Sequence, residues 1–397
     1  MSTQDSQRGL MVFKAALSTE ADIQAAVSEI RAAIAGIEPD LALLFVSHHH
    51  GPEFDGLLAD VREAINPRNL IGCTGDGIIG PDREVERSPA LAIWTAKLPG
   101  VRALPFLVDQ NDVMRLDGSE EWREHLGVNA SDGVGFIVLP EPFSIDAERC
   151  IGEMDRAYEG SKIVGGMASG GRRPGENRLF LNDQVLRQGM VGVSLAGAIS
   201  IETVVSQGCR PIGEPFVVTK AKENIIYELR GRPVLEVVRG VYTEASPPDQ
   251  ALMQQGLHLG QVIDERLGRF GPGDFLIRNL GRVPGEEGLA VAALIRPGQT
   301  IRFHVRDSRT ADEEMRGLLA GRVGEMAKPP RGGLLFSCNG RGTGMFGVPH
   351  HDIGVVNSVA KDCQVAGFFA AGEIGPIGNR TFIHGLTSSL ILFQEPG

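Results

Sequence analysis

Residues 333–393 read GLLFSCNGRGTGMFGVPHHDIGVVNSVAKDCQVAGFFAAGEIGPIGNRTFIHGLTSSLILF. Apolar runs at 334–336, 365–369 and 389–393 have strand length, and Ile353, Val356 and Val359 between the first two recur at helical spacing. The connections hold too much glycine to pack as core. Strand, loop, helix, strand, loop, strand is an α/β order, and its glycine-rich loops are where a site belongs, because loops carry function on a packed scaffold.

The same order occurs twice upstream. In one copy residues 42–46 form a strand, Leu57, Leu58, Val61 and Ile65 stripe a helix, residues 70–73 return, and residues 90–98 alternate as a half-buried strand does. In the other, residues 136–139 precede a helix carrying Cys150, Ile151 and Met154, residues 163–166 return, and 191–196 close the unit. Phe45 to Gly72 and Val138 to Gly165 are equally spaced, with Phe336 to Gly367 slightly longer. Duplication of one unit and convergent β-α-β-β patterning both account for this. A strand at 11–17 and a helix striped by Ile23, Ala26, Val27, Ile30 and Ile34, capped at or near Thr19, come before the first copy. The central region differs: short strands are expected at 216–219, 225–229, 275–280, 289–295 and 301–305, with helices at 234–241 and 250–267. The predicted fold is α/β, a two-domain mixed-sheet architecture built from repeated β-α-β-β units with Gly-rich loops. Looser linkers are expected at Ser246-Pro247-Pro248 and at residues 329–333.

Ser337-Cys338-Asn339-Gly340-Arg341-Gly342 and Gly372-Glu373-Ile374-Gly375-Pro376 resemble the C-terminal half of the FIST family. Leu70-Ile71-Gly72-Cys73-Thr74-Gly75-Asp76-Gly77-Ile78-Ile79-Gly80, followed by Arg83-Glu84-Val85-Glu86, is similar to that family's N-terminal motif, and Gly231-Arg232-Pro233-Val234-Leu235 to the junction between halves. The resemblance implies a FIST N-terminal-like domain over 1–230, with its core at about 40–230, and a C-terminal-like domain over 231–397. It further implies a sensory domain that binds a small polar ligand, with amino acids the suggested class, and signals to a separate protein partner. It brings no catalytic residue, no cofactor and no metal.

Composition is consistent with this. Hydrophobic residues make up 42% and charged residues 22% of 397, ordinary values for a globular protein of about two domains. A net charge of −11 without a basic run argues against a nucleic-acid partner. The N-terminal residues hold no apolar stretch of signal-peptide length and no window reaches membrane-spanning length, so the expectation is a soluble, cytoplasmic protein with no membrane partner. The five cysteines are scattered and lack CxxC spacing, which indicates neither a disulfide framework nor a zinc site. Cys150 reads as a core thiol.

Gly75-Asp76-Gly77-Ile78-Ile79-Gly80 satisfies GxGxxG, but a dinucleotide fingerprint must open a helix, and the next residues lead into another strand. Those glycines instead suit positive φ or close backbone approach in a turn whose N–H groups could hold a carboxylate. His48-His49-His50 and His350-His351 occupy comparable loops; with no carboxylate or Cys completing a ligand set, they read as solvated loop residues. Cys338 and Ser47 each follow a strand, yet no nucleophile elbow or Cys/His/Asn signature accompanies them. The charged residues set among glycine and apolar strands are the stronger group. Arg341 would take a ligand carboxylate, Glu373 an ammonium group, and Arg380 and His384 would assist; an Arg341–Glu373 ion pair bracing two loops is the structural alternative. The candidate ligand-binding set is Cys73, Gly75, Gly77, Asn339, Arg341, Gly342, Glu373, Gly375, Arg380 and His384. Two other functions remain open: an enzyme using Glu373 or His384 as general base on a small acidic or amino-containing substrate, and a protein-binding scaffold without ligand.

Overall fold

Parallel strands joined by a helix are buried on both faces, so they read as unbroken apolar runs rather than as alternation. In the computed structural model, which describes residues 9–395 apart from Pro52, Pro272, Pro284 and Glu286, the first such pair sits in a six-strand repeat. β1 (Val12–Ser18) leads through α1 (Ile23–Ala33) to β2 (Leu41–Ser47), every residue of which is buried. α2 (Phe54–Ile65) crosses to β3 (Asn69–Gly75), parallel to β2. A hairpin of β4 (Gly77–Ile79) and β5 (Glu84–Glu86) follows, and β6 (Leu91–Lys97) returns between β1 and β2, antiparallel to both. The cap of α1 is Asp22, whose side chain accepts from the Ala25 N–H, rather than Thr19.

The second repeat has the same order. β7 (Val101–Val108), α3 (Gln110–Arg115) and α4 (Ser119–Leu126) precede β8 (Val134–Pro140), α5 (Ala147–Ala157) and the parallel β9 (Lys162–Gly166). After the hairpin of β10 (Leu179–Leu181) and β11 (Gln184–Leu186), β12 (Met190–Gly197) inserts between β7 and β8. Cys150 is fully buried on α5, as its spacing implies. The strand and helix at the N-terminus are thus the opening of the first repeat, not a piece preceding it.

The third repeat opens with β13 (Ser200–Ser206) and then breaks off. Gln207–Met315, with His384–Leu386, form a second compact unit, whereas the strands of the three repeats, His384 apart, belong to the first unit. This spatial division and the sequence division at Gly231 are different partitions of the chain. In the second unit β14 (Cys209–Lys222), β15 (Ile225–Leu229), β16 (Arg232–Pro233), α6 (Val234–Glu244) and α7 (Pro247–Gln255) are followed by β17 (Leu257–Val262), β18 (Phe275–Arg282), β19 (Leu289–Val291) and β20 (Thr300–Arg306). The sheet runs β14-β20-β17-β18-β19-β15-β16, and β14 also pairs with β15, which curls it closed. α6 and α7 pack on it through Val234, Val237, Val241 and Met253 against Leu259, Phe303 and Val305. The helix expected at 250–267 is a correction: α7 ends at Gln255, Gly256 is extended, and residues 257–262 pair with β18 and β20 on both sides. Ser246-Pro247-Pro248 is no linker either, since Ser246 caps α7 and proline occupies its first turn, where a missing N–H costs nothing.

The chain resumes through α8 (Ser308–Glu325), β21 (Gly332–Cys338), α9 (Thr343–Phe346) and α10 (His351–Val359), then β22 (Gln364–Ala370), parallel to β21. β23 (Glu373–Ile377) and β24 (Arg380–His384) form the crossing hairpin, and β25 (Ser388–Gln394) returns between β13 and β21.

Each repeat lends its hairpin to another. β10 pairs with β3, β4 with β22, and β23 with β9, so the exchange closes into a ring. Gly72, Gly165 and Gly367 stand at the same place in the three acceptor strands. A Cβ there would lie 2.1, 1.8 and 1.8 Å from the carbonyl oxygens of Leu44, Val138 and Leu335, so only glycine fits. The register pairs Gly72 with Leu44 and Gly367 with Leu335, one residue off the spacing matched in the sequence. A second ring of contacts repeats the symmetry: Asn69, Lys162 and Gln364, each first in its strand, bond to Ala103 of β7, Ile201 of β13 and Ala15 of β1. One shared core fills the middle, in which Phe45, Phe336 and Phe368 meet Ile137, Leu139 and Val164.

Candidate functional site

The C-terminal ends of β21 and β22 carry the densest buried charge in the first unit. β21 finishes at Ser337-Cys338, and a turn closed by Arg341 N–H on the Cys338 carbonyl points the Arg341 side chain inward. Arg341 is 1% exposed. Its Nε and Nη2 donate to Oδ2 and Oδ1 of Asp352 at 2.7 and 2.8 Å, a bidentate pair between the turn and the first residues of α10. Ser337 Oγ donates to Asp352 Oδ2 at 2.7 Å, and His351 Nδ1 lies 2.9 Å from Oδ1. Phe346 stacks on His351 and places its ring 5.1 Å from the Arg341 guanidinium. Burial alone would raise the Asp352 pKa; Arg341, His351 and Ser337 overcome this and hold it well below the usual carboxylate range.

The hairpin of the first repeat reaches the same place. Glu84 Oε1 accepts from Ile353 N–H at 2.9 Å, its own N–H donates to His350 Nδ1, and Asn357 donates to the Pro81 carbonyl. Glu86 Oε1 accepts from both N–H and Oγ1 of Thr343. Gly342 permits that approach: its φ is +69°, and a Cβ would fall 2.7 Å from Glu86 Oε1. Glu84 Oε2 is buried with no hydrogen-bond partner among the described residues. Burial, then the charge of Asp352, raises the Glu84 pKa to about 7 against the Ile353 hydrogen bond.

Glu373 opens β23 and is fully buried. Its Oε2 accepts from Thr387 N–H and Oγ1 at 3.0 and 2.6 Å, whereas Oε1 has no described partner. Burial pushes its pKa up to about 8, with Thr387 and Arg341 opposing. In the ring of exchanged hairpins the equivalent residues are Ile78, opposite Phe368, and Leu179, opposite Cys73, while Glu373 lies opposite Gly166. A carboxyl group therefore stands where the other two repeats have core aliphatics. Near neutral pH the site holds one committed ion pair and two carboxyl groups poised to exchange protons, each with a spare oxygen.

The sequence-derived residues divide accordingly. Arg341, Gly342 and Glu373 are in this cluster, with Asn339 exposed at its rim and its N–H on the Ala370 carbonyl. The partner of Arg341 is Asp352, not Glu373, although Glu373 feels its charge. Gly75 and Gly77 flank the exit into the hairpin. Neither has positive φ; both are needed for close approach, Gly77 against Phe369 and Gly75 against Phe368. The Asp76 N–H is occupied by Ser169 Oγ, and the GxGxxG stretch itself contains strand β4 and leads into β5, not into a helix. Gly375 packs against Ser389 and Val205. Cys73 is in the shared core, where burial pushes its thiol well above the usual range. Arg380 is exposed, with its guanidinium over Phe382 of its own strand. His384 belongs to the second unit and is buried.

Not all loop histidines are solvated. His48 and His49 are exposed, with their rings tilted against each other, but His50 is buried and His351 is held by Asp352 and Phe346. No group of three or more His, Cys, Asp or Glu side chains suited to a metal occurs among the described residues. Ser47 Oγ, buried, accepts from the Ala90 N–H and braces the strand end. Asp352 escaped the sequence reading altogether. Its only signal was an acid immediately ahead of the apolar series Ile353, Val355, Val356 and next to two histidines.

Residues 40–232 match the FIST N domain and residues 235–376 the FIST C domain. An uncharacterised protein of Mycobacterium tuberculosis is 40% identical over 384 residues, 96% of this chain and 98% of its own length. An uncharacterised protein of Mycobacterium bovis is 38% identical over 371 residues, 93% of this chain and 94% of its own. Among solved structures, a cyanuric acid hydrolase from A. caulinodans aligns over 98% of this chain and 100% of that one, at 11% identity and a TM-score of 0.37. No helix among the described residues is long and apolar enough to cross a membrane.

Proposed function

The chain belongs to the FIST family, whose domains are sensory domains of signalling proteins, and from that premise we propose that it binds a small polar ligand, an amino acid, and signals to a separate protein partner. The observation that carries this reading is the pair of buried carboxyl groups, Glu84 and Glu373, each with an oxygen that no described residue satisfies. A buried acceptor without a donor is costly, and an ammonium group is the donor that answers an acid most strongly. Asn339, Arg341 and Gly342 would complete the site, with Gly75 and Gly77 holding the hairpin that carries Glu84.

Arg341 is the hinge of the proposed mechanism. A ligand carboxylate that takes its guanidinium competes with Asp352, and Asp352 sits at the start of α10 between His350 and Ile353, which hold Glu84. Exchange of one carboxylate for another loosens α10 from the hairpin. The ligand shifts the population toward that arrangement only by its differential affinity for it. The exposed segment carrying Thr343, Gly344 and His350 is the surface whose order would change for a partner to read.

Thermal unfolding against a panel of amino acids, amines and small carboxylates tests this. Ligand at about 100 times its dissociation constant adds ~2.7 kcal/mol, a clear rise in the transition. Glu84→Gln should lose that rise. A panel in which no amino acid moves the transition, or in which Glu84→Gln responds as the wild type does, would sink the reading.

A further inference from the structure

The second compact unit has a groove of its own, of about 660 Å³, between α6 and α7 on one side and β17, β18 and β19 on the other. Leu235, Val238, Met253, Leu257, Leu280 and Leu289 make its floor and walls. Two cations, Arg239 and Arg282, stand exposed along it, and neither is in an ion pair with a described residue. No carboxylate is among the described lining residues. The polar remainder is partly self-satisfied, since Gln254 donates to the Tyr242 hydroxyl. In a chain of net charge −11, two guanidinium groups over an apolar floor form a local inversion of sign.

We propose that this groove binds a single-chain anionic amphiphile, a free long-chain carboxylate, with its tail along the floor and its headgroup on Arg239 and Arg282. The volume lies within the range of small-molecule sites, whereas a docked helix needs a broader interface. An amino acid does not suit it, because the floor offers little for a polar ligand to bond. An exposed apolar groove of this kind, rimmed by one sign of charge, marks an interaction site rather than ordinary surface. The site is independent of Glu84, Arg341 and Glu373.

Titration of the full chain with cis-parinaric acid, an 18-carbon polyene carboxylate that fluoresces when its tail leaves water, tests the proposal. Saturable binding is expected. The Arg239→Ala/Arg282→Ala double variant and the methyl ester of the probe should each weaken it about tenfold, the loss of two partly exposed charge contacts. Val238→Trp should block the groove while the melting temperature stays within a degree or two of wild type. Non-saturable fluorescence, or an ester that binds as tightly as the acid, overturns the proposal. So does an acidic amphipathic helical peptide that binds where parinarate does not, which would make the groove a protein-docking surface. None of these substitutions touches the carboxyl cluster, so failure here leaves the amino-acid test standing, and the reverse.

Discussion

Replacing Glu373 by Gln should abolish a pH dependence of stability that the wild type carries. Glutamine reproduces the protonated acid: its oxygen can keep both Thr387 bonds, and its NH2 stands where Oε1 now lacks a partner. The folded-state pKa is about 8 against 4.5 for the free side chain. Below pH 4.5 both states hold the proton and nothing is lost. Between 4.5 and 8 the unfolded chain ionises while the folded one keeps its proton, so wild-type stability falls as pH rises, at about 1.4 kcal/mol per pH unit. Above 8 the loss is complete. From pH 6 to pH 8 this amounts to roughly 2 kcal/mol, or about 4–8 °C in melting temperature for a domain of this order of size. The assay is thermal unfolding of wild type and Glu373→Gln at pH 5, 6, 7, 8 and 9, read as the difference between the two. That difference cancels the contribution of Glu84, which titrates in the same window. Parallel curves across the range would show that Glu373 carries no proton in the folded state and refute the reasoning.

Asp352→Asn should cost about 3–5 kcal/mol, because it strands a buried guanidinium without its anion, and Asp352→Asn/Arg341→Met should recover most of it; a single variant that melts with the wild type removes the pair from the fold's support. Gly165→Ala should fail to fold or melt far lower, its methyl group falling 1.8 Å from the Val138 carbonyl oxygen, whereas Gly152→Ala on α5, with open space around its Cβ, should gain about 0.5–1 kcal/mol. Equal transitions for the two glycine variants would contradict the register.

The strands that pair in parallel could be read directly, since their burial on both faces leaves apolar runs such as residues 41–46 with no competing interpretation. The strand and helix ahead of the first pair could be read too, but not as part of a repeat. The opening strand of the third repeat is separated from its helix and parallel pair by an entire compact unit, so the six-strand period is invisible as a spacing. The helix misplaced over 250–267 came from apolar residues that fit both periods, and only the pairing of Leu257–Val262 with strands far along the chain decides for the sheet. Within the site, Glu373 stood out because acids are rare in apolar glycine-rich strands. Asp352 did not, because an acid at the start of a helix has an ordinary explanation in the helix dipole. Glu84 lay in a recognised motif, but its meaning depends on α10, some 270 positions away, which no local pattern encodes.

The closed ring of exchanged hairpins bears on how this chain leaves the ribosome. The edge of β3 stays open until residues 179–181 are made, and β4 has no neighbour on its outer side until Gly367 and Phe368 emerge. Synthesis at ~5–20 residues per second leaves that gap open for many seconds. An early repeat therefore waits with unpaired, apolar edges, the condition under which strands pair with the wrong chain. The protein should depend on chaperone holding during translation, and its yield should fall more steeply with expression rate than its final stability would suggest.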